Sequence, residues 1–112
     1  MKKILVLFGT RPEAIKLAPL IKKLKSNKNF NVKVCVTGQH REMLDQVLQI
    51  FDIKADYDLD IMSRSKGLHK ITSIILEELE NVFLNFNPNL AITHGDTTTT
   101  MAASIAAFYN KI

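Results

Sequence analysis

Four short apolar segments predict β-strands, and they differ in where their polar positions fall. Residues 4–8 are apolar without interruption, which is typical of a strand covered on both faces. Residues 32–37 alternate valines with other residue types, so this strand is expected to be less deeply buried. Residues 90–93 predict a short buried strand, and residues 57–60 allow another.

Helical periodicity fills the segments between these strands. It predicts helices over residues 12–26, 41–51, 68–85 and 97–108, with a polar loop at 63–67 before the third helix. Pro19 interrupts the first pattern, and we predict a kink there rather than an end. The predicted buried stripes are Ala14, Leu17, Ala18, Ile21 and Leu24; Met43, Leu44, Val47, Leu48 and Phe51; Leu68, Ile71, Ile74, Ile75, Leu79, Val82 and Phe83; and Met101, Ala102, Ile105, Ala106 and Phe108.

Strands that alternate with helices predict an α/β fold, a doubly wound parallel sheet of Rossmann-like type. The first strand is the most apolar, so we place it centrally, with the second and third strands on one side and residues 90–93 on the other. Ligands bind such sheets where the strand order reverses, beyond the carboxyl ends of the strands. The loops at 9–12 and 94–98 are expected to meet there, with Arg11 and Asp96 facing one another.

The loop after the first strand has the residues of a helix start that suits an anion. Thr10 and Glu13 match a capping box, and Pro12 fits the first helical turn. The N-terminus of a helix carries free N–H groups and positive partial charge. Arg11 and Lys16 add two cations within about one turn of it. The competing interpretation is that both are ordinary solvated surface residues.

Four consecutive threonines at 97–100 are an unusual way to begin a helix, because threonine is a mediocre helix former. Asp96 is well placed as the N-cap, which is the simpler interpretation of its role. A carboxylate in that position would occupy the site of a phosphate. The functional hypothesis is therefore that Asp96 acts on a neutral part of a ligand, such as a sugar hydroxyl or a C–H bond. The threonine hydroxyls either position that ligand or cap the helix.

Gln39, His40 and Glu42 follow the second strand at the same edge of the sheet. The simpler interpretation is a loop and a helix start, in which Glu42 favours the helix dipole. The three histidines have no metal-binding spacing, and the sequence contains no HExxH or CxxC. It also lacks GxGxxG and GxxxxGK[ST], so neither a dinucleotide fingerprint nor a Walker-type hydrolase is indicated.

Length, charge and composition narrow the class of protein. The 112 residues are enough for one domain with a real core but not for two. A net charge of +4 without an aromatic-studded basic stripe does not indicate nucleic-acid binding. No stretch approaches the roughly 18 apolar residues of a membrane helix. Cys35 is expected to be a buried small hydrophobe, and a cytoplasmic protein without disulfides is the expected result.

Three long segments together resemble one enzyme family. Residues 8–20 read FGTRPEAIKLAPL, residues 37–48 read TGQHREMLDQVL, and residues 94–100 read HGDTTTT. They resemble the N-terminal part of the non-hydrolysing bacterial UDP-N-acetylglucosamine (UDP-GlcNAc) 2-epimerases. Residues 56–59 and 106–109 also fit, so the resemblance runs through essentially the whole chain.

The resemblance implies a two-domain fold like that of the GT-B glycosyltransferases, with the substrate between the domains. It implies interconversion of UDP-GlcNAc and UDP-ManNAc, a precursor of cell-surface polysaccharides, by elimination and re-addition of UDP. It further implies a homodimer at full length, without metal or cofactor. Within these residues, Arg11 and Lys16 match substrate-binding residues of the family, and Asp96 matches a candidate acid–base or substrate-positioning group.

The resemblance also bears on regulation. Gln39, His40 and Glu42 match a loop that in some members contacts a second, activating UDP-GlcNAc. An arginine expected in the following loop does not align cleanly, because Arg64 and Lys66 flank its position. Whether allosteric activation is kept is therefore left open.

Members of that family are much longer than this chain. We therefore expect residues 1–112 to be a partial N-terminal Rossmann-like domain, with the C-terminal domain absent and no activity in isolation. An exposed sheet edge is also expected. Two alternatives stay open: a non-catalytic module of this fold that binds a UDP-sugar or a protein, and a hydrolysing epimerase that releases free ManNAc.

Overall fold

The computed structural model describes residues 1–38, 41–64 and 67–112, and Arg41 by its backbone alone. Its elements follow the predicted order closely, and a short 3₁₀ helix after the third strand is the one addition. The elements are β1 (Lys2–Phe8), α1 (Arg11–Lys25), β2 (Phe30–Val36), α2 (Arg41–Ile50), β3 (Tyr57–Asp58), the 3₁₀ helix (Ile61–Ser63), α3 (Leu68–Phe86), β4 (Leu90–Ile92) and α4 (Thr98–Tyr109).

The four strands form one parallel sheet in the order β3-β2-β1-β4, which confirms the predicted topology. Val6 on β1 lies opposite Val34 on β2 and Ile92 on β4, so the register of the central strands is fixed on both sides. The carboxyl ends of β1 and β4 are therefore neighbours. β4 is at the edge of the sheet that the described residues form, as expected.

Helices cover both faces of the sheet, and this explains the uninterrupted apolar sequence of β1. Ile4, Val6 and Phe8 point into one core with α1 and α2. Leu5 and Leu7 point into the other core with α3 and α4. β2 is less deeply buried than β1, as predicted, but its three buried residues, Val34, Cys35 and Val36, are consecutive and do not alternate with exposed ones.

The buried faces of α2, α3 and α4 were predicted to include residues that the structure shows to be exposed. Leu68 is 65% exposed and Phe108 is 78% exposed, although both were assigned to buried faces, and Met43 and Met101 are also about half exposed. These residues lie at the margins of their stripes, where periodicity alone does not separate buried from exposed positions. α4 instead packs through a set of small side chains, which allow close approach to α3 and the sheet: Ala102, Ala103, Ala106 and Ala107.

α1 continues through Pro19, as the pattern beyond that residue predicted. Pro19 lies on the exposed side of the helix, and the buried stripe continues past it to Ile21. Across residues 1–38, 41–64 and 67–112, no helix combines the length and the hydrophobicity of a membrane-spanning segment.

Candidate ligand site at the carboxyl edge of the sheet

A single buried carboxylate joins the two loops that were predicted to meet. Glu13 is 3% exposed in the first turn of α1. Its Oε1 accepts hydrogen bonds from the backbone N–H groups of Gly9 at 2.9 Å and Thr10 at 3.0 Å, and from the Thr10 hydroxyl at 3.1 Å. Its Oε2 accepts from the Thr97 hydroxyl at 2.5 Å, across the sheet edge, and the Thr100 hydroxyl oxygen lies 3.4 Å from it.

These bonds confirm the capping box at α1. They also correct the hypothesis that the backbone N–H groups at this helix start are all free to bind an anion. The N–H groups of Gly9 and Thr10 are already satisfied by Glu13, so they are not available to a ligand anion. An anion at this end of α1 would be held by side chains and by the backbone N–H groups of the first turn that Glu13 does not occupy. Arg11 and Lys16 are both exposed, and neither forms a hydrogen bond or ion pair with any residue described.

The prediction that Asp96 caps α4 is wrong. The N-cap is Thr97, whose hydroxyl accepts from the backbone N–H of Thr100 at 3.4 Å. Thr97 can also donate to Glu13, which a second carboxylate in the same place could not do. Asp96 is exposed and has no hydrogen-bond or ion-pair partner in the described ranges. The reason for excluding an anion at this helix start is thereby removed.

The run of threonines anchors the start of α4 on several sides. The Thr99 hydroxyl is hydrogen-bonded to the Thr37 hydroxyl at the end of β2, at 2.9 Å. The Thr100 hydroxyl donates to the His94 carbonyl at 2.8 Å, which closes the β4–α4 loop on itself. Of the two predicted roles, capping is confirmed for Thr97. The tertiary anchoring by Thr99 and Thr100 was not predicted.

A shallow groove of about 330 Å³ lies beside the start of α1. Its walls are largely apolar, from Pro12, Ile15 and Met43, and Arg11 and Lys16 also line it. The structure therefore brings the two predicted cationic residues to one groove. It also brings there Met43 of α2, which sequence analysis had placed in the core.

Two further predicted site residues that the structure describes, Glu42 and Arg64, do not line this groove. Glu42 is exposed in the first turn of α2. Gln39, His40 and Lys66 lie outside the described residues. Arg64 donates to Glu78 Oε1 at 2.6 Å and to the Leu59 carbonyl at 3.3 Å, contacts that hold the segment after β3 against α3.

Arg11 lies at the start of α1 and Asp96 lies in the β4–α4 loop. The contact between these two segments is made by their neighbours Glu13 and Thr97. The hydrogen bond between Thr97 and Glu13 confirms that the two loops meet. Arg11 and Asp96 form no ion pair with each other, so both side chains are available to a ligand. Within the described ranges, no group of three or more His, Cys, Asp or Glu residues is arranged to hold a metal ion.

The second function of Glu13, the hydrogen bond from Thr97 to its Oε2, was not predicted from the sequence. The capping box identified one of its oxygens, and the predicted strand order placed the threonine run beside it. Those two signals together would have indicated that the other oxygen is free to accept from the β4–α4 loop.

The parallel sheet, its strand order and the joined loops at its carboxyl edge define an α/β domain of Rossmann-like type. Residues 22–112 match the family model described as UDP-N-acetylglucosamine 2-epimerase. The chain belongs to the UDP-N-acetylglucosamine 2-epimerase family.

Individual relatives agree with this assignment. The UDP-N-acetylglucosamine 2-epimerase of Campylobacter jejuni is 57% identical over 112 residues, which are 100% of this chain and 29% of that protein. The crystal structure of UDP-GlcNAc 2-epimerase from Neisseria meningitidis bound to UDP-GlcNAc superposes with a TM-score of 0.95 at 57% identity, over 98% of this chain and 30% of that one. The Methanocaldococcus jannaschii enzyme, in complex with UDP-GlcNAc and UDP, gives 0.89 at 32% identity, over 100% of this chain and 31% of that one. The chain thus spans about 30% of the length of these relatives.

Proposed function

We propose that these residues are part of a non-hydrolysing UDP-GlcNAc 2-epimerase, which interconverts UDP-GlcNAc and UDP-ManNAc. Membership of the family and the likeness to a relative solved with UDP-GlcNAc support this proposal. The observation that carries it is the joining of the β1–α1 and β4–α4 loops through Glu13 and Thr97. The joined loops present Arg11 and Asp96, exposed and unpaired among the described residues, at one edge of the sheet.

The reaction that we propose has two steps. In the first, a base removes the proton from C2 of the sugar, the C1–O bond breaks, and UDP leaves with the bonding pair, giving a 2-acetamidoglucal. In the second, the diphosphate oxygen adds back to C1 and a proton is delivered to the opposite face of C2. Both steps need acid–base groups near C2 and a cationic site that holds the detached UDP.

Arg11 and Lys16 suit the cationic role. Their charges lie beside the start of α1, where Glu13 has already satisfied the backbone N–H groups of Gly9 and Thr10. Charged hydrogen bonds from these side chains would therefore bind the diphosphate of UDP. These bonds would strengthen as negative charge builds up on the departing diphosphate.

Asp96 suits the acid–base role at C2. Asp96 does not cap α4, because Thr97 is the N-cap. Asp96 is next in sequence to Thr97, whose hydroxyl joins the two loops by its hydrogen bond to Glu13. A group on the opposite face of C2 is also required, and we propose that it comes from outside residues 1–112. In this proposal those 112 residues are a partial N-terminal Rossmann-like domain, and a second domain closes over the substrate.

Further parts of the proposal concern the whole protein. It acts in the cytoplasm as a homodimer, needs no metal or cofactor, and supplies UDP-ManNAc for cell-surface polysaccharides. Gln39, His40 and Glu42 are the candidate residues for a second, activating UDP-GlcNAc site.

The test follows the C2 proton by NMR with the full-length gene product and UDP-GlcNAc in deuterated water. We expect UDP-ManNAc to form and deuterium to enter C2 of both nucleotide sugars. Release of free ManNAc and UDP would instead identify a hydrolysing epimerase. Binding of UDP without any exchange would favour the non-catalytic module and overturn the proposal.

A further inference from the structure

Glu13 has more hydrogen bonds than helix capping requires. A capping box needs one carboxylate oxygen to accept from the N-cap backbone N–H, and Oε1 of Glu13 does this for Thr10. Oε2 is not needed for that purpose. It accepts instead from the Thr97 hydroxyl, which is 84 positions away in the sequence.

The hydrogen bond from Thr97 to Glu13, which bridges the two loops, is short, charge-assisted and partly buried. Hydrogen bonds to an ionised carboxylate are roughly twice as strong as those between neutral groups, and the 2.5 Å bond from Thr97 is at the short end of their range. Burial of Glu13 reduces the competition of water for these contacts. Because both oxygens belong to one rigid group, a movement of either loop is transmitted to the other.

The bridge also lies next to the residues proposed to act on the substrate. Glu13 is two residues from Arg11, and Thr97 is one residue from Asp96. Neither Arg11 nor Asp96 has a contact of its own that would fix its position among the residues described. Their separation is therefore set by the backbones that carry them. The bond between Glu13 and Thr97 links those backbones directly beside the two residues, in addition to the pairing of β1 with β4.

We propose that Glu13 is a positioning residue, which sets the distance between the cationic group of Arg11 at the start of α1 and the acid–base group of Asp96 on the β4–α4 loop. This inference rests on the proposed epimerase activity. A misplacement of about 1 Å between reacting groups can reduce a rate by about 100-fold. Glu13 itself touches neither the substrate nor the reacting atoms in this proposal.

The most specific test removes the bridge at its threonine end. Thr97→Val deletes the donor with little change in shape, and Thr97→Ser keeps it. We expect Thr97→Val to lower kcat by about 10–100-fold with KM changed less than about threefold, and Thr97→Ser to stay near the parent enzyme. A purely structural role would lower the melting temperature of Thr97→Val but leave kcat per folded molecule unchanged, and that result would overturn the inference.

A double-mutant cycle separates the bridge from any direct contact of Thr97 with the ligand. Glu13→Gln retains the size of the side chain and removes its charge. If the two residues act through one bond, Glu13→Gln combined with Thr97→Val will cost little more than the worse single variant. Fully additive losses would contradict the inference. Glu80→Gln, at an exposed position on α3, is the matched control and should leave kcat unchanged.

An NMR readout keeps this inference distinct from the proposed function. With ¹⁵N-labelled glycine and threonine in the full-length gene product, we expect Thr97→Val to shift the amide signals of Gly9 and Thr10, on the other loop. Unchanged signals would overturn the inference even if the enzyme is an active epimerase. Shifted signals in a protein without epimerase activity would sustain the bridge and reject the proposed function.

Discussion

The side-chain hydroxyls of Thr37 and Thr99 lie 2.9 Å apart in a fully buried hydrogen bond, although 62 positions separate them in the sequence. Thr37 follows β2, and its backbone N–H donates to the Phe8 carbonyl at the end of β1. Thr99 lies in the first turn of α4. This contact therefore fixes the start of α4 to the end of β2, beside the bridge that Glu13 makes to the same helix.

Removal of the Thr37 hydroxyl should destabilise the protein. A hydrogen bond between neutral groups contributes about 0.5–1.5 kcal/mol to stability, so we expect Thr37→Val to lower the free energy of unfolding by about that amount. Thr37→Ser keeps the hydroxyl and is the control. Chemical denaturation of the full-length gene product measures both. Unchanged stability in Thr37→Val would contradict a stabilising role of the hydrogen bond, because valine keeps the methyl group and lacks only the hydroxyl.

Arg11→Ala should weaken UDP binding and leave the fold intact. The Arg11 side chain is exposed and has no partner in the described part of the chain, so its removal costs no folded-state contact. A hydrogen bond to a charged group contributes about 1.5–3 kcal/mol, which corresponds to about 10–100-fold in the Kd for UDP. Calorimetric titration measures this change. Lys28→Ala, between α1 and β2 at the opposite edge of the sheet, is the control. A collapse of the melting temperature in Arg11→Ala would make Arg11 structural.

Replacement of Gly95 by alanine should strain the backbone and destabilise the protein, whereas replacement of Gly67 by alanine should not. Gly95 has a φ of +91°, whereas Gly67 has a φ of −85°, and a Cβ at either position would meet nothing within 4 Å. The difference between them is therefore conformational rather than steric. We expect Gly95→Ala to cost about 1–2 kcal/mol and Gly67→Ala to change stability by less than about 0.5 kcal/mol. Thermal unfolding measures both, and equal values would contradict this explanation.

Cys35 should be an unreactive thiol in the folded protein. Burial, followed by the nearby charge of Asp58, raises the pKa of this thiol from 9.0 to about 12. The thiolate is the reactive form, so alkylation at pH 8, followed by mass spectrometry of the Cys35 peptide, should be negligible before unfolding and complete after it. The unfolded chain loses the thiol proton near pH 9 and the folded chain keeps it, so this group lowers stability as pH rises from about 9 towards 12. Rapid alkylation of the native protein would contradict the assignment.

Much of the fold was predictable because one strand carries an unusually clear signal. The uninterrupted apolar run of β1 required cover on both faces, which made it central and ordered the other strands around it. β3 was harder, because it has only two residues and little pattern of its own. Its place depends on long-range contacts, including the bond from the Val34 backbone N–H to the Asp56 carboxylate at 2.8 Å. A local pattern contains no information about such a partner.

The site was predictable in its location but not in its internal contacts. The predicted strand order correctly placed the β1–α1 and β4–α4 loops next to each other. The capping role assigned to Asp96 was wrong, because the position beside the Glu13 carboxylate needs a donor and a hydroxyl supplies one. Sequence spacing favours Asp and Thr alike at an N-cap, so the choice between them depended on a neighbour 84 positions away.

The central claim is that the β1–α1 and β4–α4 loops act together on a nucleotide sugar. The rate of C2 proton exchange in Asp96→Asn tests this claim most directly. Deuterium incorporation into UDP-GlcNAc by the full-length gene product would be compared for the parent, Asp96→Asn and the control Asp52→Asn. Asp52 lies between α2 and β3 and is exposed, in a left-handed conformation that asparagine also adopts. We expect Asp96→Asn to slow exchange by about 100-fold or more with an unchanged melting temperature, and Asp52→Asn to exchange at the parent rate. Exchange at the parent rate in Asp96→Asn would contradict the claim.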